Sequence, residues 1–252
     1  MESLQNLLKN LLPPRRIDPN SEIESTLIKE QAHKNYHDTI FTGEIQPLNA
    51  ECSFCILDRD YFMEHRDSIR RKIANLPDVK RTFDSFKVRK GLDPAIRLSR
   101  EFCKKMDGFL ILYGPPGVGK SHLLQAIGEE MLNKVSFKYT TVDNLLSSWR
   151  SLFSHLEQQG LSFEQVYKSY ADLDLLLLDD LGSEKPSEWS ISVLTRLIDT
   201  RQTNNSATAI TTNLDDGQLG RLSSRLADRI YAHYNTIVVI DAESYRRKGG
   251  VK

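Results

Sequence analysis

The stretch Leu112-Tyr-Gly-Pro-Pro-Gly-Val-Gly-Lys-Ser121 sets Gly114, Gly119, Lys120 and Ser121 in the spacing G-x-x-x-x-G-K-[ST], which wraps backbone N–H groups round the phosphates of a nucleoside triphosphate. Before it, Phe109-Leu-Ile-Leu-Tyr113 is an apolar run long enough for one buried strand, and after it residues 122–133 carry apolar side chains at helical spacing. A strand entering the loop and a helix leaving it is what the chemistry requires, because successive N–H groups and a helix N-terminus favour anions. Gly114, Pro115, Pro116, Gly117, Val118, Gly119, Lys120, Ser121 and His122 are therefore candidate nucleotide contacts, with Lys120 on the β and γ oxygens and the Ser121 hydroxyl on Mg²⁺.

Working outward, strands and helices alternate. The patterning predicts strands at 109–113, 137–141, 173–178, 207–212 and 236–240, with helices over 120–133, 143–157, 162–170, 188–203 and 219–230. Such alternation implies a parallel five-stranded sheet with helices on both faces, and places ligands at the carboxyl ends of the strands. The run Asp174-Leu-Leu-Leu-Leu-Asp-Asp180 is an apolar strand ending in two carboxylates. Asp179 is expected in the Mg²⁺ shell, and Asp180 in the position of a base or water-orienting carboxylate. A β-branched strand ends at Asn213, an amide able to orient an attacking water or merely to cap the next helix. Arg225 and Arg229 share one helix face at i, i+4, as fingers across a subunit boundary or as surface ion pairs. Arg246 follows the last strand and is placed to return to the same nucleotide.

Composition limits the alternatives. With 252 residues, 39% hydrophobic and 27% charged, the chain can bury one good core and carry a small extra module. Its apolar runs are too short to span a bilayer and its amino end shows no signal-peptide pattern, so a cytoplasmic location without membrane contact is expected. Basic and acidic residues number 34 each, so any nucleic-acid contact must come from local patches. Three cysteines do not make a disulfide framework.

Residues 1–80 differ in texture and are expected to form a small, mostly helical partner-binding region ahead of an ATPase domain at 81–252. Leu4, Leu7, Leu8, Leu11 and Leu12 share one helical stripe stopped by Pro13, suited either to packing on its own domain or to docking on a partner. A second helix is expected over Tyr61 to Leu76, with Arg66, Arg70, Arg71 and Lys72 on its polar face. Cys52 and Cys55 stand at metal-ligand spacing near His33 and His37, which leaves a Zn²⁺ site, reduced thiols and a redox pair all open.

Taken together, Arg81-Thr-Phe-Asp-Ser-Phe-Lys-Val88, the phosphate loop with its helix, the 175–189 stretch, Thr211-Thr-Asn213, Ser223-Ser-Arg-Leu-Ala-Asp-Arg-Ile230 and Glu243-Ser-Tyr-Arg246 resemble the DnaC and IstB group of AAA+ ATPases. That resemblance, covering about residues 80–247, implies a P-loop NTPase with a truncated lid, ATP and Mg²⁺ as cofactors, and an ATP-dependent homo-oligomer that completes hydrolysis in trans. Position by position it implies Lys120 and Ser121 on phosphate and Mg²⁺, Asp179 on Mg²⁺, Asp180 as catalytic acid position, Asn213 as first sensor, Arg229 as finger and Arg246 as second sensor. Asp180 stands where glutamate is commonest, which implies slow, switch-like hydrolysis. The paired helices between Thr141 and Asp174 resemble an element that touches single-stranded DNA, making Trp149, Arg150, Tyr167 and Lys168 candidates, although aromatics at helical spacing also suit a core. The function implied is a helicase loader that holds a hexameric replicative helicase. A transposition helper acting with a transposase on duplex DNA, and a nucleotide-switched adaptor without DNA binding, are the alternatives.

Overall fold

The computed structural model describes residues 67–68, 70–89, 91–158, 163–183 and 187–245. By its contacts the chain separates into units 1–70 and 71–252, and the second holds the α/β fold. The leucine stripe, His33, His37, Cys52, Cys55 and Arg246 all lie outside the described residues.

Within the second unit the elements run α1 (Asp93–Lys105), β1 (Phe109–Tyr113), α2 (Lys120–Met131), β2 (Phe137–Thr141), α3 (Val142–Gln158), α4 (Phe163–Ala171) and β3 (Leu175–Leu181). They continue with α5 (Glu188–Thr203), β4 (Ala207–Thr212), α6 (Asp216–Leu222), α7 (Ser224–Ile230) and β5 (Thr236–Val239). The five strands form one parallel sheet in the order β2-β3-β4-β1-β5. Strand alternation splits their side chains between two cores. On one face Phe137, Leu175, Leu177, Ala207, Ala209, Leu110 and Leu112 pack with α1, α2 and residues 74–86. On the other, Ile111, Leu176, Leu178 and Ile210 pack with α3, α4, α5, α6 and α7. The β-strands at the centre are apolar on both faces, as parallel strands covered by helices must be.

Three features depart from the sequence pattern. Helix α1, absent from the elements expected from the sequence, buries Ala95, Ser99 and Phe102 and packs Ile96, Leu98 and Cys103 beside them. It starts with Pro94 in its first turn and ends at Met106 in the left-handed conformation. The helix expected over 219–230 is two helices, because Ser223 is extended and its hydroxyl accepts from Leu226 N–H as the N-cap of α7. Strand β3 runs on to Leu181 rather than stopping at Leu178, so both carboxylates lie within it.

The largest polar burial is Arg201 of α5, fully enclosed. Its Nη1 donates to the carbonyls of Tyr170, Ala171 and Leu173, its Nη2 to Ala207 O, and its Nε to Thr208 Oγ1, all at 2.7–3.0 Å. One planar cation thereby satisfies the carbonyls where α4 ends and β4 begins. Burial pulls its pKa down to about 10, with Asp174 and Asp172 opposing, so it remains charged at neutral pH. Cys103 is another perturbed group: burial first, then Glu130, push its thiol up to about 12, which makes it unreactive.

Replacing Arg201 by Met keeps the apolar stem and strands those acceptors. Arg201→Met should lower the unfolding free energy by about 3 kcal/mol or more. Urea denaturation measures this, and a loss below about 1 kcal/mol would show that the carbonyls find other donors.

Candidate nucleotide site

The loop between β1 and α2 joins a strand to a helix, as its sequence predicts. A Cβ on Gly114 would lie 2.4 Å from the backbone oxygen of Ile240, so only glycine fits where β1 meets the end of β5. Gly119 sits at φ +114° with its Cα against the Phe86 ring, which a Cβ would approach to 2.9 Å. Lys120 opens α2 and is buried. Its Nζ donates to Gly114 O at 2.6 Å, to Pro115 O at 2.9 Å and to Asn213 Oδ1 at 2.6 Å. The ammonium is thereby held inside the loop, facing the end of β4.

The two carboxylates owe their placement to a β-bulge. Leu178 faces Ile210 and Leu181 faces Thr212, so Asp179 and Asp180 stand opposite Thr211 alone, and Asp180 takes a left-handed φ of +61°. The irregularity turns Asp180 away from the ordinary alternation. Asp179, buried, accepts at Oδ1 from Ser121 Oγ (2.9 Å) and Thr211 Oγ1 (2.5 Å), and at Oδ2 from the Tyr139 hydroxyl (2.5 Å). The same Thr211 oxygen accepts from Asp180 N–H at 2.8 Å. Asp180 Oδ1 in turn accepts from Asn213 Nδ2 at 2.8 Å.

Asn213 therefore joins the loop lysine to the second carboxylate. Its amide orientation follows from charge: the carbonyl must meet the ammonium and the NH₂ the carboxylate, since the reverse would set donor against donor and acceptor against acceptor. Lys120, Asn213 and Asp180 form one polar chain across the mouth of the sheet.

Segments remote in sequence brace this loop. Phe86 meets His122 edge-on, and His122 Nε2 lies 3.1 Å from Thr82 O. Burial pulls the His122 pKa down, against the opposing bond to Thr82 O. Arg89 donates to Val118 O and Glu243 O. The Tyr245 N–H reaches Gly117 O at 2.9 Å, and its hydroxyl accepts from Lys87 Nζ at 3.2 Å. The chain thus does return to the loop just before Arg246.

The other candidates are placed differently. Arg225 Nη2 and Arg229 Nε pair with the two oxygens of Asp199 on α5 at 2.7 and 2.5 Å; burial opposes the charge on Asp199, but both guanidiniums hold its pKa below the usual range. Trp149 and Tyr167 are core residues, 1% and 3% exposed. Trp149 packs against Phe163, Tyr167 and Tyr170, and Tyr167 donates to Arg196 O, so neither ring offers a face to a base. Arg150 and Lys168 are exposed, Arg150 lying over the Trp189 ring and bonding Ser187. Among the described residues no cluster of three or more His, Cys, Asp or Glu is set to hold a metal. The donor set that does suit Mg²⁺ is Ser121 Oγ beside Asp179 Oδ1: hard oxygens of one hydroxyl and one carboxylate, as Mg²⁺ takes when phosphates supply other ligands. Two residues with no role assigned from the sequence are Thr211, which serves both carboxylates, and Tyr139. Their hydroxyls face the site only because the strand registers bring β2 and β4 alongside β3.

Similar proteins share this arrangement of elements. The replicative helicase loader DnaC of Buchnera aphidicola subsp. Acyrthosiphon pisum is 29% identical over 173 residues, 66% of this chain and 69% of that protein. The crystal structure of the DnaC helicase loader matches with a TM-score of 0.53 at 26% identity, over 64% of this chain and 97% of that one. AMPPCP-bound DnaA from Aquifex aeolicus matches with a TM-score of 0.58 at 23% identity, over 68% of this chain. This protein spans about half of that longer initiator, 53% of its chain. The fold is the P-loop fold of the AAA+ class. Residues 55–252 match the family described as IstB-like ATP binding protein, and with its phosphate loop, paired carboxylates and parallel sheet in place the chain belongs to that family.

Proposed function

We propose that this protein is an ATP-dependent helicase loader: a slow ATPase that holds a hexameric replicative helicase through residues 1–80 and grips single-stranded DNA when ATP is bound. The observation that carries the ATP-controlled part is the chain Lys120–Asn213–Asp180, which gives one amide simultaneous contact with the phosphate-loop cation and the base-position carboxylate. A γ-phosphate arriving at Lys120 competes with Asn213 for that ammonium, so occupancy of the loop is felt at Asp180. The likeness to a replicative helicase loader in both sequence and fold supports the partner. The family's own description supports a second reading, a transposition helper paired with a transposase.

In this mechanism the loop N–H groups and Lys120 bind the phosphates, and Ser121 with Asp179 would hold a Mg²⁺, whose charge would offset that of the phosphates. Asp180 orients a water and accepts its proton, with Asn213 fixing the carboxylate oxygen that does so. Asp180 is one methylene shorter than glutamate, and its bulge holds it in a left-handed conformation, which favours slow turnover. Arg229, and beside it Arg225, is the finger offered to a neighbouring subunit; Asp199 keeps either guanidinium parked on the surface until a better anion is presented.

Lys120→Ala should weaken ATP binding at least about tenfold, because it removes a charged donor from the phosphates. Fluorescence titration with labelled ATP checks this, and unchanged affinity would remove the nucleotide site from this loop. Mixing Arg229→Ala with Asp179→Ala subunits should restore part of the hydrolysis that each lacks alone; no recovery from folded, assembled variants would place the finger elsewhere. For the partner, a pull-down with the purified replicative helicase of the native host should retain it in an ATP-dependent manner, together with labelled single-stranded DNA whose binding weakens as salt rises. Retention of a transposase and duplex DNA instead would establish the second reading.

A further inference from the structure

We infer that Tyr139 is a positioning residue for the metal-bearing carboxylate: its buried phenol holds Asp179 Oδ2 so that Oδ1 stays turned toward Ser121. This deepens the nucleotide-site reading above and rests on it. Packing alone would be served by phenylalanine, since the ring lies in the apolar cluster with Phe137, Leu177 and Ile127. What the oxygen adds is a 2.5 Å bond to Asp179, and the structure invests in that bond from three sides. Gln125 of α2 donates to the phenol oxygen at 3.1 Å, occupying a lone pair and leaving the O–H to the carboxylate. The Tyr139 N–H donates to Ala74 O at 2.8 Å, pinning an edge strand at this residue. Strand register sets Tyr139 against Leu177 and Thr141 against Asp179, so Tyr139 and Asp179 are diagonal neighbours on one face, within reach of a long side chain.

The consequence follows from the carboxylate's geometry. Asp179 Oδ1 carries two hydroxyl donors, Ser121 and Thr211, and Oδ2 carries one, Tyr139. Without the phenol, Oδ2 is a buried acceptor with no donor on that side, and rotation about χ2 toward Ser121 and Thr211 becomes the way to satisfy it. Such rotation moves Oδ1 off the position that pairs it with Ser121. Partners that fix a ligand in this manner typically govern metal affinity tenfold or more.

The test compares wild type with Tyr139→Phe by the affinity of fluorescent ATP in Mg²⁺ and in EDTA, and by Mn²⁺ binding followed by EPR with a non-hydrolysable ATP analogue. The expected result is a ratio of Mg²⁺ to EDTA affinity reduced about tenfold, with weaker Mn²⁺ binding and the EDTA affinity held within about twofold. An unchanged ratio overturns the inference, and so does an equal fall in both affinities, which is the mark of a merely structural residue. Should Tyr139→Phe fail to fold, Gln125→Met keeps the phenol and loosens it; a smaller fall in the same ratio supports the role, and no change overturns it. If wild type itself shows no preference for Mg²⁺ over EDTA, the nucleotide-site reading fails and not this step alone.

Discussion

A carboxylate at the end of a fully apolar strand is costly unless donors meet it, and Asp179 is that carboxylate. Its strand is enclosed on both faces, so water cannot do the work. Three hydroxyls do it instead: Ser121 from the first turn of α2, Thr211 from β4 and Tyr139 from β2. Each belongs to a different element, and each reaches the carboxylate only if its element is in register. Satisfying one buried anion therefore fixes the height of α2 against β3 and of both neighbouring strands against it. The phosphate loop inherits its position from the same constraint, because Lys120 and Ser121 are consecutive residues at the start of that helix.

Arg201 performs the equivalent task at the opposite end of the sheet. Strands β3 (175–181) and β4 (207–212) begin shortly after α4 and α5 finish, and such junctions leave helix-terminal carbonyls without partners. One guanidinium with its five N–H groups meets the carbonyls of Tyr170, Ala171, Leu173 and Ala207. The amino end of the sheet is thus closed by a cation and the carboxyl end opened by anions and an ammonium. The anions and the ammonium at the second end are held by side chains and loop carbonyls, Ser121, Thr211, Tyr139 and Asn213 among them.

Much of this was legible in the sequence, for a physical reason: residues whose chemistry leaves few alternatives announce themselves. Gly114, Gly119, Lys120 and Ser121 have a spacing that little else explains, and Leu175–Leu178 followed by two aspartates marks a buried strand with a charged end. Asn213 at the tip of an apolar strand was legible in the same way. The supporting partners were not. Tyr139 reads as an ordinary strand aromatic and Thr211 as an ordinary β-branched residue, because their importance lies in strand order and register, which no local pattern encodes. The bulge at Asp179–Asp180 is silent for a similar reason: a leucine run continuing into aspartates looks like regular alternation until the pairing with β4 is known. Trp149 and Tyr167 show the converse, since aromatic spacing compatible with base stacking proved to be the seam between α3, α4 and the sheet.

The loop also depends on the two segments that flank the sheet in sequence, residues 82–89 and 240–245. Phe86 fills the space that Gly119 leaves open, His122 is held by the Thr82 carbonyl, and Arg89 ties Val118 O to Glu243 O. From the other end, Tyr245 N–H bonds Gly117 O while Ile240 O closes on Gly114. Gly114 and Gly119 make room for these neighbours, so the loop's shape is set jointly by residues 82–89, 240–245 and its own backbone. A change in its conformation would disturb these contacts with residues 82–89 and 240–245. The P-loop is thus braced by residues that precede β1 and residues that follow β5, and not by its own strand and helix alone.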